Sequence, residues 1–112
     1  MKKCCFLLLY FFFLPIYTYG QVYPKNFFRS PVDIKVAIAG TFGELRKNHF
    51  HSGIDIKTKQ KINIPIYAIQ DGYVSRIKVS SFGFGKTVYI NHENGFTSVY
   101  AHLENFADII EM

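Results

Sequence analysis

The sequence predicts a mainly β domain in which short strands form an antiparallel sheet. Several stretches alternate apolar and polar residues with a period of two, which is the pattern of a strand that buries one face. Segments rich in glycine, asparagine, proline and lysine separate these stretches at the short intervals typical of antiparallel β folds. We therefore expect several short strands and almost no helix.

The strands are identified in chain order from this alternation and from the turn residues between them. Residues 21–34, which include Pro24 and Pro31, form an extended lead-in. Asp71-Gly72 and the glycine-rich stretch 80–85 are predicted turns. The predicted strands are Val36–Ala39, Gly53–Ile56, Ile66–Ile69, Tyr73–Val79, Thr87–Asn91 and Thr97–His102.

Asn94-Gly95 lies between the last two strands and predicts a β-hairpin. A two-residue turn at this pair would place Tyr89 opposite Tyr100 and Thr87 opposite His102. The two tyrosines would then form either a cross-strand aromatic pair or a contact with substrate. A longer loop would change these pairings but not the parity within each strand.

The last strand has one apolar and one polar face. The apolar face, expected to point to the core, consists of Val99, Ala101 and Leu103. The opposite face, expected to line a cleft, carries Ser98, Tyr100 and His102.

His51 and Asp55 form the most informative short motif, because imidazole and carboxylate are both good ligands of Zn²⁺. Residues four apart share a face on a helix and also on a strand. Gly53 and the alternation after it favour the strand, with His51 and Asp55 pointing the same way. The spacing alone is equally typical of an ordinary hydrogen-bonded pair, so it requires context.

Two further histidines, His49 and His92, are possible metal ligands. His49 shares strand parity with His51, so it is either an additional ligand or a loop histidine. His92 follows Val88 and Ile90 on a face that points to the core, which indicates a histidine at the end of a packed strand.

The order of several motifs supplies the context. The motifs are His51-Ser-Gly-Ile-Asp55, Asp71-Gly-Tyr-Val74, Gly83-Phe-Gly85, Asn94-Gly95 and Tyr100-Ala-His-Leu103. Together, over about residues 38–104, they resemble the lysostaphin/LytM-type zinc metalloendopeptidases, which cut peptide cross-links of bacterial peptidoglycan. The resemblance implies the duplicated hybrid motif fold of that family, in a domain spanning 35–112.

The resemblance also implies roles for individual residues. His51 and Asp55 correspond to the first two zinc ligands, and His102 corresponds to a catalytic histidine. The family's third ligand belongs to a His-x-His motif that follows Tyr-x-His-Leu, and no such motif follows Tyr100-Ala-His-Leu103 in this sequence. We therefore interpret the chain as the amino-terminal part of a peptidase domain, truncated before its last ligand, and expect it to be inactive alone.

The resemblance leaves a second function open. Some members of the family have lost ligands and act as non-catalytic envelope proteins that bind or activate cell-wall hydrolases. Retention of His51, Asp55 and His102 together favours the enzyme.

Residues 1–20 have the pattern of a secretory signal peptide. Lys2 and Lys3 precede an apolar run, and Thr18-Tyr-Gly20 supplies small residues where a signal peptidase cuts. The run is too short for a stable membrane anchor. Both cysteines lie in this leader, so the mature protein has no disulfide. We expect export to the periplasm or cell envelope.

The charge is consistent with an extracellular partner. The net charge of +5 falls by two when Lys2 and Lys3 leave with the leader. Such a surplus suits either an anionic envelope polymer or a solvated surface. No nucleic-acid motif accompanies it, so we expect no nucleic-acid partner. The family resemblance implies a peptidoglycan peptide as substrate. The sequence does not determine the oligomeric state.

Overall fold

A computed structural model of the chain describes Gly20 and residues 25–111. The predicted leader therefore lies outside the described residues, apart from Gly20. The elements are β1 (Ile38–Gly40), β2 (Asp55–Ile56), β3 (Gly72–Lys78), β4 (Lys86–His92), β5 (Thr97–Leu103) and α1 (Asp108–Glu111). All strand pairs are antiparallel, which confirms the mainly β fold class. Over the described ranges, no helix has the length and apolar character needed to cross a membrane.

The strands form two sheets. β1 pairs with β2, and β3, β4 and β5 form a three-stranded sheet with β4 in the centre. Three of the four buried side chains among the described residues lie on β4, where Thr87 is fully buried and Val88 and His92 are each 5% exposed. All residues of β3 are exposed, as expected for an edge strand. The centre of the three-stranded sheet therefore carries most of the described core.

The β4–β5 hairpin has a longer loop than the predicted two-residue turn. His92 N donates to Phe96 O at 2.9 Å, so Glu93, Asn94 and Gly95 form a three-residue loop. Gly95 closes it with a φ of 81°, a conformation that glycine adopts without strain. Val88 consequently faces Tyr100, and Tyr89 faces Val99. The predicted pairing of Tyr89 with Tyr100 was wrong because the loop has one residue more.

A β-bulge on β5 shifts this register near the end of the hairpin. Val88 faces Tyr100, but two residues earlier on β4 Lys86 faces Leu103, so β5 contains one extra residue there. The extra residue lies at Ala101–His102, and His102 has a φ of 56°. A bulge breaks the alternation of side chains along a strand. The alternation of side chains between the two faces of β5 before His102 therefore does not continue after it.

The predicted apolar face of β5 was only partly correct. Ala101 and Leu103 are half-buried, but Val99 is 46% exposed. Ser98 and Tyr100, expected to line a cleft, are half-buried instead. The bulge accounts for this result, because Val99 lies before it whereas Leu103 lies after it.

The segment 66–69 was predicted as a strand, and this was wrong, although its backbone is paired. Arg29 N donates to Ile69 O at 2.8 Å, and Tyr67 N donates to Pro31 O at 2.9 Å. Pro31 has no N–H to return, so the pairing does not extend into a regular ladder. The lead-in nevertheless packs against the fold, since Val32 in it is 3% exposed.

Candidate metal centre

A small hairpin ahead of β2 positions His51. Leu45 and Phe50 form an antiparallel bridge. Glu44 O accepts a hydrogen bond from His51 N at 2.8 Å, and His51 O accepts one from Gly43 N at 2.8 Å. These bonds fix the backbone of His51 at the base of the hairpin arm, beside the end of β1.

Asp55 is the first residue of β2 and lies opposite Gly40 of β1. Its Oδ1 is 3.3 Å from His51 Nε2, so the structure brings the two predicted ligands together. They do not share a continuous strand, because β2 begins only at Asp55 and the predicted strand residues Gly53 and Ile54 are irregular. The side chains of His51 and Asp55 approach each other because the hairpin packs beside β2. They do not meet because they lie on the same face of one strand.

The environment of His51 determines which ring nitrogen is available. Its Nδ1 lies 3.0 Å from Thr41 O. A carbonyl oxygen can only accept, so Nδ1 carries the proton and donates to it. In the neutral ring, Nε2 then keeps its lone pair and faces Asp55. The side chain is 17% exposed, so its orientation is held by the surrounding chain.

Asp55 is oriented in a comparable way by Arg46. Arg46 Nη2 donates to Asp55 Oδ2 at 2.8 Å, and the same nitrogen lies 3.3 Å from Glu44 Oε2. Arg46 Nη2 is also 3.4 Å from His51 Nδ1, a contact rather than a hydrogen bond when that nitrogen is protonated. Asp55 Oδ2 is thus engaged, and Oδ1 remains directed at His51.

The spacing of the two ligand atoms fits zinc. Zn–N and Zn–O distances of about 2.0–2.2 Å at a tetrahedral angle separate the ligand atoms by about 3.3–3.6 Å. The observed separation between His51 Nε2 and Asp55 Oδ1 is 3.3 Å. Each ligand also has the outer hydrogen bond that metal-binding histidines and carboxylates require, to Thr41 O and from Arg46 respectively. The donor set therefore fits a tetrahedral metal ion.

A third ligand does not accompany this pair in the part of the chain that the structure describes. Over residues 25–111, no group of three His, Cys, Asp or Glu side chains is placed to hold a metal ion. His49, considered above as a further ligand, hydrogen-bonds Asn48 Oδ1 at 2.8 Å instead. The pair alone cannot supply the three protein ligands of a catalytic zinc.

His102 lies on β5, in the other sheet. Its backbone N donates to Phe84 O at 2.9 Å, and its side chain is exposed. Within the described residues, no hydrogen bond or ion pair joins that side chain to His51 or Asp55. Among the non-glycine residues described with a positive φ, His102 alone lies in a strand. Such a conformation costs about 1–3 kcal/mol and is frequent at functional sites.

His92 is a structural histidine, as its strand position indicated. Its Nδ1 lies 2.9 Å from Asp71 O and its Nε2 lies 2.9 Å from Ser98 Oγ. Ser98 Oγ is hydrogen-bonded to Tyr100 Oη at 3.0 Å, and Tyr100 Oη accepts from Ile69 N at 2.8 Å. Both ring nitrogens are used, so no lone pair is left for a metal.

Sequence reasoning missed three residues of the candidate metal centre. Thr41 orients His51, Arg46 orients Asp55, and Gly40 makes room for Arg46 and Asp55. A Cβ added at Gly40 would lie 2.4 Å from both Arg46 Nη2 and Asp55 Oδ2. The only sequence signal for these roles was one arginine close before the first ligand, which by itself predicts a solvated loop.

The sequence is similar to several known proteins. The sequence matches peptidase family M23 over residues 49–111, more than half of the chain. It is 27% identical over 90 residues to an uncharacterized metalloprotease of Haemophilus influenzae, covering 75% of this chain and 18% of that protein. It is 31% identical over 91 residues to the peptidoglycan DD-endopeptidase ShyC of Vibrio cholerae, covering 76% and 20%. The chain thus spans about a fifth of the length of these relatives. No solved structure matches it.

Proposed function

Because the chain belongs to peptidase family M23, we propose that it is part of a zinc-dependent endopeptidase that hydrolyses peptide cross-links of bacterial peptidoglycan. The family match supports a peptidase fold and implies a metal cofactor. We propose in addition that the metal is zinc, that the bond cut is a peptide cross-link, and that the whole protein is active.

The pairing of His51 Nε2 with Asp55 Oδ1 at 3.3 Å carries this proposal. A histidine and a carboxylate that only hydrogen-bond each other place a proton between them. Here Thr41 O takes the Nδ1 proton, and Arg46 takes the other carboxylate oxygen. Two lone-pair atoms are therefore left facing each other, an arrangement that a metal ion stabilises and that would otherwise require a protonated imidazole.

The residues of this chain would have two roles, binding the metal and hydrogen-bonding the reacting groups. His51 and Asp55 would hold the metal, with a third ligand from outside the described residues. Zinc, when bound, lowers the pKa of a water molecule and polarises a carbonyl oxygen. His102 would donate a hydrogen bond to water or to the developing oxyanion, a role that depends on its placement.

The position of His102 at a bulge supports this role. Bulges re-aim a side chain relative to its strand and are over-represented next to active sites. The side chain is exposed and its ring has no hydrogen-bond partner among the described residues, in contrast to the fully bonded ring of His92. A histidine with both nitrogens accessible is suited to proton transfer or hydrogen bonding with a substrate.

The proposed site of action is the cell envelope. The leader pattern at residues 1–20 and a relative named as a peptidoglycan endopeptidase both support export. Intact-mass measurement of the protein from the envelope fraction tests this. Loss of residues 1–20 is the expected result, and a mature chain that still begins at Met1 would contradict it.

The proposed activity is tested on purified peptidoglycan with the full protein that contains this sequence. We expect release of cross-linked peptides as shorter products, loss of this release after chelation, and recovery when zinc is added back. Arg29→Met is a matched control, because Arg29 forms an exposed ion pair with Asp33 at 3.0 Å and contacts neither proposed ligand. It should leave hydrolysis unchanged.

The alternative function gives a different result in the same assay. A non-catalytic envelope protein would release no peptides itself, yet would raise the activity of added cell-wall hydrolases. Stimulation without zinc-dependent hydrolysis would contradict the proposed enzyme.

A further inference from the structure

We propose that Arg46, held by Glu44, is a positioning residue that presents Asp55 to the metal through one oxygen, and that Gly40 provides the space for this contact. The inference rests on the proposed metal-binding function of His51 and Asp55. It concerns residues outside the motif that identifies the family.

The hydrogen bonds around the two proposed ligands form one continuous chain from His51 to Asp55. Thr41 O accepts from His51 Nδ1, and Thr41 N donates to Glu44 Oε2 at 3.1 Å. Glu44 Oε2 also accepts from Arg46 Nη2, which donates to Asp55 Oδ2. The backbone of Thr41 thus holds His51 directly through its carbonyl oxygen, and holds Asp55 indirectly from its N–H through Glu44 and Arg46. The orientations of the two ligands are therefore coupled.

Arg46 acts through a single nitrogen. Nη2 has two protons, and the two carboxylates of Glu44 and Asp55 account for both. Its Nε is buried and has no hydrogen-bond acceptor among the described residues. The backbone of Arg46 is fixed by its own hydrogen bond, from Arg46 N to His49 O at 2.9 Å. Both ends of the side chain are therefore anchored.

Gly40 is required by space and not by backbone conformation. It does not have a positive φ, so an alanine would be permitted by the backbone alone. The added Cβ would nevertheless lie 2.4 Å from Arg46 Nη2 and from Asp55 Oδ2, the two atoms of the ion pair. Real Cβ atoms do not approach other atoms so closely, so the ends of both side chains would have to move.

Two effects of Arg46 on a bound cation oppose each other. Its positive charge repels the metal, whereas its hydrogen bond fixes Asp55. Asp55 is 42% exposed and Arg46 is 36% exposed, so water screens much of the repulsion. The restriction of Asp55 to one orientation is not screened. Positioning should therefore outweigh repulsion, and loss of Arg46 should weaken binding of the metal.

The experiment measures zinc affinity by competition with a chromogenic chelator, using the full protein. Arg46→Met keeps the length of the side chain and removes its charge and donors. We expect the Kd for zinc to rise by about 10–100-fold, the usual cost of losing an outer hydrogen bond to a ligand. Thermal unfolding of the metal-free protein should change little, which separates positioning from a purely structural role.

Gly40→Ala tests the same contact independently. It should also raise the Kd for zinc, and its effect should be smaller in the Arg46→Met background, where Asp55 is free to move away. Arg29→Met, which removes the remote ion pair with Asp33, should leave the Kd unchanged.

The outcomes separate this inference from the proposed function. An unchanged or lower Kd in Arg46→Met would overturn the positioning role, and a lower value would identify Arg46 as a competing cation. Failure of the wild-type protein to bind zinc would instead overturn the proposed metal-binding function.

Discussion

His51 and His92 have the same kind of partner at Nδ1 and different partners at Nε2. Each directs Nδ1 at a backbone carbonyl, Thr41 O at 3.0 Å and Asp71 O at 2.9 Å. For His92 the other nitrogen meets the hydroxyl of Ser98, which can donate a proton to it. For His51 the other nitrogen meets Asp55, which in its ionised form can only accept.

The comparison shows what separates a structural histidine from a proposed metal ligand. Burial does not decide it, since His92 is the more buried of the two. The deciding property is whether a donor satisfies the second ring nitrogen. At His92 the hydrogen bonds continue through Ser98 and Tyr100 to Ile69 N, whereas at His51 two acceptors face each other.

The largest expected effect follows from removing a ligand. In the full protein, His51→Ala or Asp55→Ala should abolish stoichiometric zinc binding and peptidoglycan hydrolysis, because each removes one of three protein ligands. Zinc content by elemental analysis and peptide release measure the two effects. Retention of full zinc occupancy in either variant would show that the metal centre lies elsewhere.

A second effect concerns His102, which is neither a structural histidine nor a proposed metal ligand. His102→Ala should lower turnover by about 10²–10³-fold, as expected for one lost transition-state hydrogen bond, while zinc content stays intact. His102→Gly should lose the same amount of turnover. Its free energy of unfolding should be about 1 kcal/mol higher than that of His102→Ala, because glycine tolerates the positive φ at this position. Equal collapse of zinc content in His102→Ala would make His102 a ligand.

A third effect is confined to stability. His92→Phe keeps a ring of similar shape but leaves Asp71 O and Ser98 Oγ without this partner in the core. We expect the free energy of unfolding to fall by about 1–3 kcal/mol, with an unchanged Kd for zinc in the folded protein. Denaturant unfolding and chelator competition measure the two quantities. A large loss of zinc affinity would contradict the structural role.

The smallest effect tests the far end of the His92 network. Tyr100→Phe removes only the hydroxyl that joins Ser98 to Ile69 N. We expect a loss of about 0.5–1.5 kcal/mol in the free energy of unfolding, and no change in zinc binding. Hydrolysis should also be unchanged. A drop in turnover comparable with that of His102→Ala would assign Tyr100 to the substrate cleft.

The sequence predicted the local features of the fold well. Period-two alternation located β3, β4 and β5 to within one residue at each end, because that pattern depends only on neighbouring side chains. The strand at 66–69 was wrong because its partner, the lead-in, contains Pro31. The hairpin register was wrong because one additional loop residue and one bulge are not encoded in alternation.

The sequence by itself determined the family, the mainly antiparallel β architecture and the identity of the pair His51 and Asp55. The tertiary structure alone decided how the side chains of that pair are arranged and oriented. Arg46, Thr41 and Gly40 reach it across a hairpin and a strand pair, and such contacts depend on where separate segments meet. Residue type and spacing predict which atoms are capable of binding a metal, but only packing determines which lone pairs remain free.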